Sequence, residues 1–352
     1  AVQDAKGRID ASEAVLGAVP TEASTLQRAL GMRPDGLRFS RDRDRPLEAD
    51  IIVVDEASMI DLALMRQLLE ATPMDSRLII VGDPDQLTSV EAGSVLQDLV
   101  TASEKTWWRG RLTTLEKTHR YDATQPLGRL IAAIRDGDGE TVSALLSSGG
   151  EDLHWSPFEK LGAELDHAAE RWSAATSTDE PREHFARRGD YVILTPFRKG
   201  LSGTRRLGRL IEERLIANGQ TPVSRPILIE ENSRELRVYN GDLAFVRSGD
   251  TPIAVIPTEG AAPREIAEAR LPRTSDAYAL SIHKSQGSEF DEVLVVLPED
   301  DAPLLTRELL YTAVSRARRK VRLVGPQEVV LSGVARRARR DSGLVGQVAR
   351  RG

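Results

Sequence analysis

Ile51-Ile52-Val53-Val54 runs without interruption into Asp55-Glu56-Ala57-Ser58-Met59-Ile60-Asp61, and this join constrains the fold more than any other stretch. A continuous apolar, β-branched run favours a strand buried on both faces, the ordinary state of a parallel sheet. A second run, Arg77-Leu78-Ile79-Ile80-Val81, ends in Gly82-Asp83-Pro84-Asp85-Gln86-Leu87. Between them Leu62 to Ala71 has helical spacing, with Leu62, Met65, Leu68 and Leu69 expected on one inward face. Strand, helix and strand in that space predict a βαβ unit with a right-handed crossover. Both strands then deliver polar ends to the same sheet edge, where α/β sheets bind ligands.

The residue types at those ends suit one chemistry. Asp55 is placed to hold Mg²⁺, directly or through water, and Glu56 to orient or deprotonate an attacking water. Gly82 is expected to let backbone approach a ligand closely. Gln86 both donates and accepts, so it can sense a γ-phosphate or the attacking water. An isolated Asp-Glu pair is more often a solvated acidic turn. The second strand end, with its Gly-Asp-x-x-Gln, makes the combination far more specific.

The 352 residues, 40% of them hydrophobic, suffice for two or three packed domains. The absence of cysteine excludes disulfides and thiolate metal sites and fits a reducing, cytoplasmic setting. No apolar run approaches the roughly 20 residues of a membrane span, and no signal peptide is evident. A net charge of −6 argues against a uniformly basic coat but leaves room for a local basic groove.

Along the chain, residues 1–30 read as helical with a break near Gly17 to Pro20, and Ser24 or Thr25 is a candidate cap. The helix after the second strand is expected to turn Val90, Val95, Leu96 and Leu99 inward, with Glu91 near its start. Helices are expected over Leu127 to Ile134, Val142 to Leu146, about Leu161 to Ala174, and Thr204 to Ala217, with a buried strand at Tyr191 to Leu194. The stretch 147–189 is otherwise uninformative. From Pro222 to Leu271 short β-like runs (Pro226 to Ile229, Arg237 to Tyr239, Leu243 to Val246, Ile253 to Ile256) alternate with turn residues. Asn240-Gly241 is a hairpin signal, and the whole reads as a small β-barrel inserted in an α/β domain. The α/β pattern resumes with strands at Ala277 to Ile282, Val293 to Leu297 and Val321 to Val324, and a helix over Thr306 to Arg318. The tail from Leu331 carries six arginines against one acid.

Later residues supply what phosphoryl transfer requires. Arg120 and Arg316 are candidate arginine fingers, each neutralising charge that develops on a transferred phosphoryl group; such fingers are worth roughly 10³–10⁵ in rate. Arg318, Arg319 and Lys320 are expected to be solvated. Gly287 forms a tight turn followed by Glu289, which can accept a hydrogen bond from a ribose hydroxyl. Thr195, Ser281, His283 and Lys284 are candidate contacts to DNA phosphates.

These residues together resemble the motifs of superfamily 1 helicases. Asp55 to Asp61 resembles motif II, Gly82 to Leu87 motif III, Thr118-His119-Arg120-Tyr121 motif IV, His283-Lys284-Ser285-Gln286-Gly287-Ser288-Glu289-Phe290 motif V, and Tyr311-Thr312-Ala313-Val314-Ser315-Arg316-Ala317 motif VI. Within that superfamily the chain is most similar to the RecD family, the 5′→3′ motor subunits of the RecBCD helicase–nuclease (exonuclease V). The similarity is carried by Ser24-Thr25-Leu26, Ser89 to Leu96, Asn240-Gly241-Asp242 and Thr306 to Tyr311. The resemblance implies ATP and Mg²⁺ as cofactors, translocation along single-stranded DNA, DNA ends as substrate, and RecB-like and RecC-like partners in double-strand break repair and recombination. It implies two RecA-like domains, the first incomplete over 1–112 and the second over 113–221 and 276–352, with an SH3-like insert at 222–275. His119 stands where many relatives carry an aromatic that stacks on adenine. No G-x-x-x-x-G-K-[ST] occurs in these residues. The expectation is therefore an N-terminally truncated chain with negligible ATPase activity of its own. The alternatives are a stand-alone repair helicase of the same branch and a catalytically dead helicase fold acting as a scaffold.

Overall fold

The structure, a computed structural model, describes residues 11–19, 23–33, 38–88, 93–103, 109–115, 118, 120–220, 222–258, 262–338 and 344. By its internal contacts the chain divides into two compact units. The first comprises Ala1–Pro84, Thr88–Arg111 and Arg340–Gly352; the second comprises Asp85–Leu87 and Leu112–Arg339.

In the first unit, β1 (Ile51–Val54) and β2 (Arg77–Ile80) pair in parallel, Ile51 opposite Arg77 and Val54 opposite Ile80. The helix Leu62–Ala71 joins them, as a βαβ unit requires. Asp61 caps it, its Oδ1 accepting from Leu64 N at 2.8 Å. The inward face is the expected one at Met65 and Leu68 but not at Leu62 and Leu69. Leu64, Met65, Leu68 and Ala71 are buried, whereas Leu62 and Leu69 are 38% and 56% exposed. The cap sets the phase of the helix, and the 3–4 spacing from Leu64 then points at the sheet.

The expectation that β1 is buried on both faces is also corrected. Side chains alternate along a strand, and only the face of Ile52, Val54, Leu78 and Ile80 joins the core with the helix. Ile51 and Val53, on the other face, are 60% and 62% exposed. Val95 and Leu96, from the helix Val95–Ser103, complete this core with Leu99 packed against it. Val90 and Glu91 lie outside the described residues. Of the two candidate caps, Thr25 holds the short helix Leu26–Ala29, its hydroxyl accepting from Arg28 N.

The second unit holds ten strands among the described residues: β3 (Leu153–Ser156), β4 (Tyr191–Thr195), β5 (Ser224–Ile229), β6 (Leu243–Arg247), β7 (Ile253–Ile256), β8 (Arg264–Ala267), β9 (Thr274–Asp276), β10 (Ala279–Ser281), β11 (Phe290–Val296) and β12 (Ala317–Val324). Five form a parallel sheet in the order β10-β4-β11-β12-β3. Both faces are covered, and the period of two sorts the side chains. Val192, Leu194, Val293, Val295, Val321 and Leu323 pack with residues of the helices Pro126–Asp136, Gly139–Ser148, Arg307–Val314 and Gln327–Ala335. Tyr191, Ile193, Leu294, Val296 and Val324 pack with those of Leu161–Thr176 and Thr204–Ala217.

The remaining five strands form an antiparallel sheet, β8-β7-β6-β5-β9, around Ile227, Ile229, Ala244, Val246, Ala254 and Ile256. No strand covers Arg237 to Tyr239; only an isolated bridge joins Ser233 and Val238. Asn240-Gly241 does turn, with Gly241 at φ 106° and Asp242 N donating to Tyr239 O at 3.0 Å. It is not a two-residue hairpin, however, because the whole segment 230–242 separates β5 from β6. Side chains hold that loop: Asn232 Oδ1 accepts from Asn240 N, and Asp242 Oδ2 from Tyr239 N.

The helix expected over Thr306 to Arg318 stops at Val314, and β12 begins at Ala317. Ladder bonds to β11 and β3 draw residues 317–324 into the sheet. Arg316 therefore sits in the tight turn between helix and strand. Strand β3 and the helix Pro181–Gly189 lie in the uninformative stretch 147–189, and the helix Gln327–Ala335 follows β12 where no helix is expected. Among the described residues, no helix is long and apolar enough to cross a membrane.

Candidate functional site

The first unit presents its acids at the C-terminal ends of β1 and β2. Glu56 has φ 52° and ψ 39°, the left-handed region that costs an L residue roughly 1–2 kcal/mol. Two contacts hold it there. Asp55 Oδ1 accepts from Glu56 N at 2.8 Å, and the next amide, Ala57 N, donates to Val81 O at 3.0 Å. The turn parts two adjacent carboxylates, Asp55 exposed and Glu56 half-buried. A Cβ on Gly82 would lie 3.0 Å from Ala57 N, 3.1 Å from Ser58 N and 2.8 Å from Leu96 Cδ2. The close approach at Gly82 is thus made by the chain's own turn. Among the described residues, no group of three His, Cys, Asp or Glu is arranged to hold a metal ion.

The second unit brings together residues far apart in sequence at the N-terminal ends of β11 and β12. Glu289 immediately precedes β11, and Arg316 immediately precedes β12. Arg120 joins them: its Nη1 donates to Ser315 O at 2.7 Å, and its Nη2 is ion-paired with Glu289 Oε1. Arg318 Nε donates to the other oxygen, Glu289 Oε2, at 3.1 Å. Arg318 is therefore not simply solvated, as its sequence context suggests. Burial opposes ionisation of Glu289, but the hydrogen bond from Arg318 and the charge of Arg120 hold its carboxyl below the usual range. Arg316 is only 1% exposed. Its Nε donates to Thr312 O at 3.2 Å and its Nη1 to Ser288 O at 3.3 Å. Gly287 adopts φ 76°, a left-handed turn that suits glycine. His119 lies outside the described residues.

Gln86 is buried, and its neighbour Leu87 is gripped through both peptide groups. Leu87 N donates to Thr312 Oγ1 at 2.7 Å, and Gln286 Nε2 donates to Leu87 O at 2.7 Å. Neither Thr312 nor Gln286 stands out in the sequence as a functional residue. Their positions inside the two motif-like segments are the only signal.

The candidate DNA contacts cluster at the other end of the same parallel sheet. Thr195 ends β4 and Ser281 ends β10, paired with it in register. The Thr195 hydroxyl donates to Ser202 O at 2.6 Å and is fully buried. Ser281 is 8% exposed. His283 and Lys284 follow in a short 3-10 turn, and Lys284 Nζ donates to Asn240 Oδ1 at 2.6 Å. Burial, and then the charge of Arg198, lower the Lys284 pKa. Residues 282–289 thus run from the C-terminal end of β10 to the N-terminal start of β11, connecting the two clusters.

Comparison with known proteins narrows the family. Residues 8–152 match the AAA domain family, and residues 276–324 match the UvrD-like helicase C-terminal domain. The chain is 41% identical over 355 residues to the RecBCD enzyme subunit RecD of Mycobacterium tuberculosis, covering 98% of this chain and 61% of that protein. Along nearly its whole length the chain is similar to RecD proteins. It spans about three-fifths of the length of the mycobacterial relative. The chain is also 30% identical over 304 residues to the ATP-dependent RecD2 DNA helicase of Deinococcus radiodurans, covering 84% of this chain and 39% of that protein. A crystal structure of Bacteroides Pif1 bound to ssDNA aligns at a TM-score of 0.46 and 14% identity, covering 87% of this chain and 80% of that one.

Proposed function

We propose that the native protein carrying these residues is an ATP-driven 5′→3′ DNA helicase, the motor subunit of a RecBCD-like assembly that acts at DNA ends in double-strand break repair and recombination. The observation that carries this reading is the convergence of Arg120, Glu289 and Arg316 at one end of one sheet. Two guanidiniums held beside strand ends are what stabilisation of a transferred phosphoryl group requires.

In this reading Asp55 holds Mg²⁺. An exposed carboxylate, with no group of three metal-ligating side chains among the described residues, fits that ion, which commonly takes one or two carboxylates and completes its shell with water and phosphate oxygens. Mg²⁺ supplies charge neutralisation on the phosphates when bound. Glu56, parted from Asp55 by its left-handed turn, orients and deprotonates the attacking water. Gln86 couples the γ-phosphate to DNA. Arg120 and Arg316 act on developing charge, His119 and Gly287 line the nucleotide, and Ser281, His283 and Lys284 face DNA. Thr195 supports that surface through its bond to Ser202. The architecture in this reading is two RecA-like domains, 1–112 and 113–221 with 276–352, with 222–275 as an SH3-like insert. RecB-like and RecC-like proteins are its partners, and it works in the cytoplasm.

The test is Glu56→Gln in the native protein. ATP binding persists while DNA-stimulated hydrolysis is lost; retained turnover would remove Glu56 from the role. The similarity to the Deinococcus RecD2 helicase favours a second reading, a motor working alone. Purification from the native cell separates the two, because a RecBCD-like subunit brings two large partners with it.

A further inference from the structure

Arg120 belongs to no helix or strand, so its backbone alone does not aim its guanidinium. Two acceptors do: Ser315 O for Nη1 and Glu289 Oε1 for Nη2. A guanidinium carries five N–H donors in a fixed plane. With two of them directed at these acceptors, the plane is set and three donors remain for an incoming anion. Glu289 is itself immobilised, because Arg318 holds its second oxygen at 3.1 Å. Arg318 in turn lies 3.7 Å from Asp291. The carboxylate is therefore a fixed bridge between two arginines. A ribose hydroxyl approaching Glu289 would compete with two charge-assisted contacts, which are roughly twice as strong as neutral ones.

We propose that Glu289 is the positioning residue for Arg120, aiming its guanidinium at the phosphate chain, rather than a contact to the nucleotide sugar. This rests on the helicase reading above. Glu289 acts through Arg120: it keeps one edge of the guanidinium occupied and leaves the rest presented. Lysine at 120 would not substitute, since a single ammonium has no plane to orient.

The experiment measures DNA-stimulated hydrolysis of ATP, 2′-deoxy-ATP and 3′-deoxy-ATP by the native protein and by Glu289→Gln, Arg318→Gln, Arg120→Ala and the double variant Glu289→Gln/Arg120→Ala. Glu289→Gln lowers kcat about 100-fold, the scale of a misaimed group. KM stays nearly unchanged, and the loss is the same for all three nucleotides. In the Arg120→Ala background the same substitution has little further effect, because residues that act as a unit are not additive. Arg318→Gln, which leaves both Arg120 contacts in place, lowers kcat less. The proposal is overturned by a raised KM with intact kcat, by altered discrimination among the sugars, or by additive losses in the double variant. Absence of hydrolysis by the unsubstituted protein would instead overturn the helicase reading, and this proposal with it.

Discussion

Leu87 N donates to the Thr312 hydroxyl at 2.7 Å, across 225 residues of chain. Leu87 is 5% exposed and Thr312 fully buried, so no water can replace that acceptor. Thr312→Val keeps the shape and orphans a buried amide, which costs about 1–3 kcal/mol. Thr312→Ser keeps the oxygen and costs less. Chemical denaturation of the three proteins checks this; equal stability of the valine and serine variants would show that the bond contributes nothing.

Glu56 stores backbone strain at a candidate catalytic position. Asparagine visits the left-handed region more readily than glutamate. Glu56→Asn is therefore expected to raise stability by up to about 1 kcal/mol while abolishing hydrolysis. Thermal unfolding and an ATPase assay read the two effects separately. A destabilised variant would mean that the side chain, not the backbone, sets the local energy.

Gly128 lies in the helix Pro126–Asp136, where alanine would ordinarily gain about 1 kcal/mol. Here a Cβ would meet Asp122 O at 2.3 Å and Ala123 Cα at 2.6 Å. Backbone must move, and Asp122 is two residues from Arg120. Gly128→Ala is expected to cost about 1–3 kcal/mol and to lower turnover as well. Normal stability with normal activity would show that the loop gives way freely.

His184 is buried, stacked on Phe245 at 4.0 Å, with Nδ1 3.0 Å from Ala175 O. Burial, and then the charge of Arg188, lower its pKa from 6.5 to about 4. The unfolded chain thus binds the proton more tightly, so the contribution of neutral His184 is present above pH 6.5 and is lost as pH falls toward 4. That loss is on the order of 3 kcal/mol. Glu164 acts lower. Burial opposes its ionisation, but hydrogen bonds from Arg322 and Ser156 hold its pKa below 4.5, so its contribution fades only below that. Stability measured against pH should show the upper step vanish in His184→Gln and the lower one remain.

Much of the local structure was legible along the chain. Thr204–Ala217 is a helix at the predicted residues, and β4 is fully buried as its unbroken apolar run implies. Both signals are periodicities that need no distant partner. The antiparallel strands β8 and β9 carry Arg, Glu, Thr and Ser and exist because neighbouring strands pair with them. The same holds for Ala317 and Arg318, which read as the end of a helix until β12 takes them into its pairing with β11.

The sequence by itself determined the candidate residue types and their order: the acid pair after β1, the Gly-Asp-x-x-Gln after β2, and Arg120, Glu289 and Arg316 in later motifs. Spacing along the chain carries such motifs because each lies within one turn or strand end. The tertiary structure alone decided what those side chains touch. Glu289 meets Arg120 across 169 residues, and Thr312 meets Leu87 across 225. The physical reason is that a carboxylate or hydroxyl takes its role from whichever donor the fold brings within about 3 Å. In a parallel sheet, that partner arrives from a strand or loop elsewhere in the sequence.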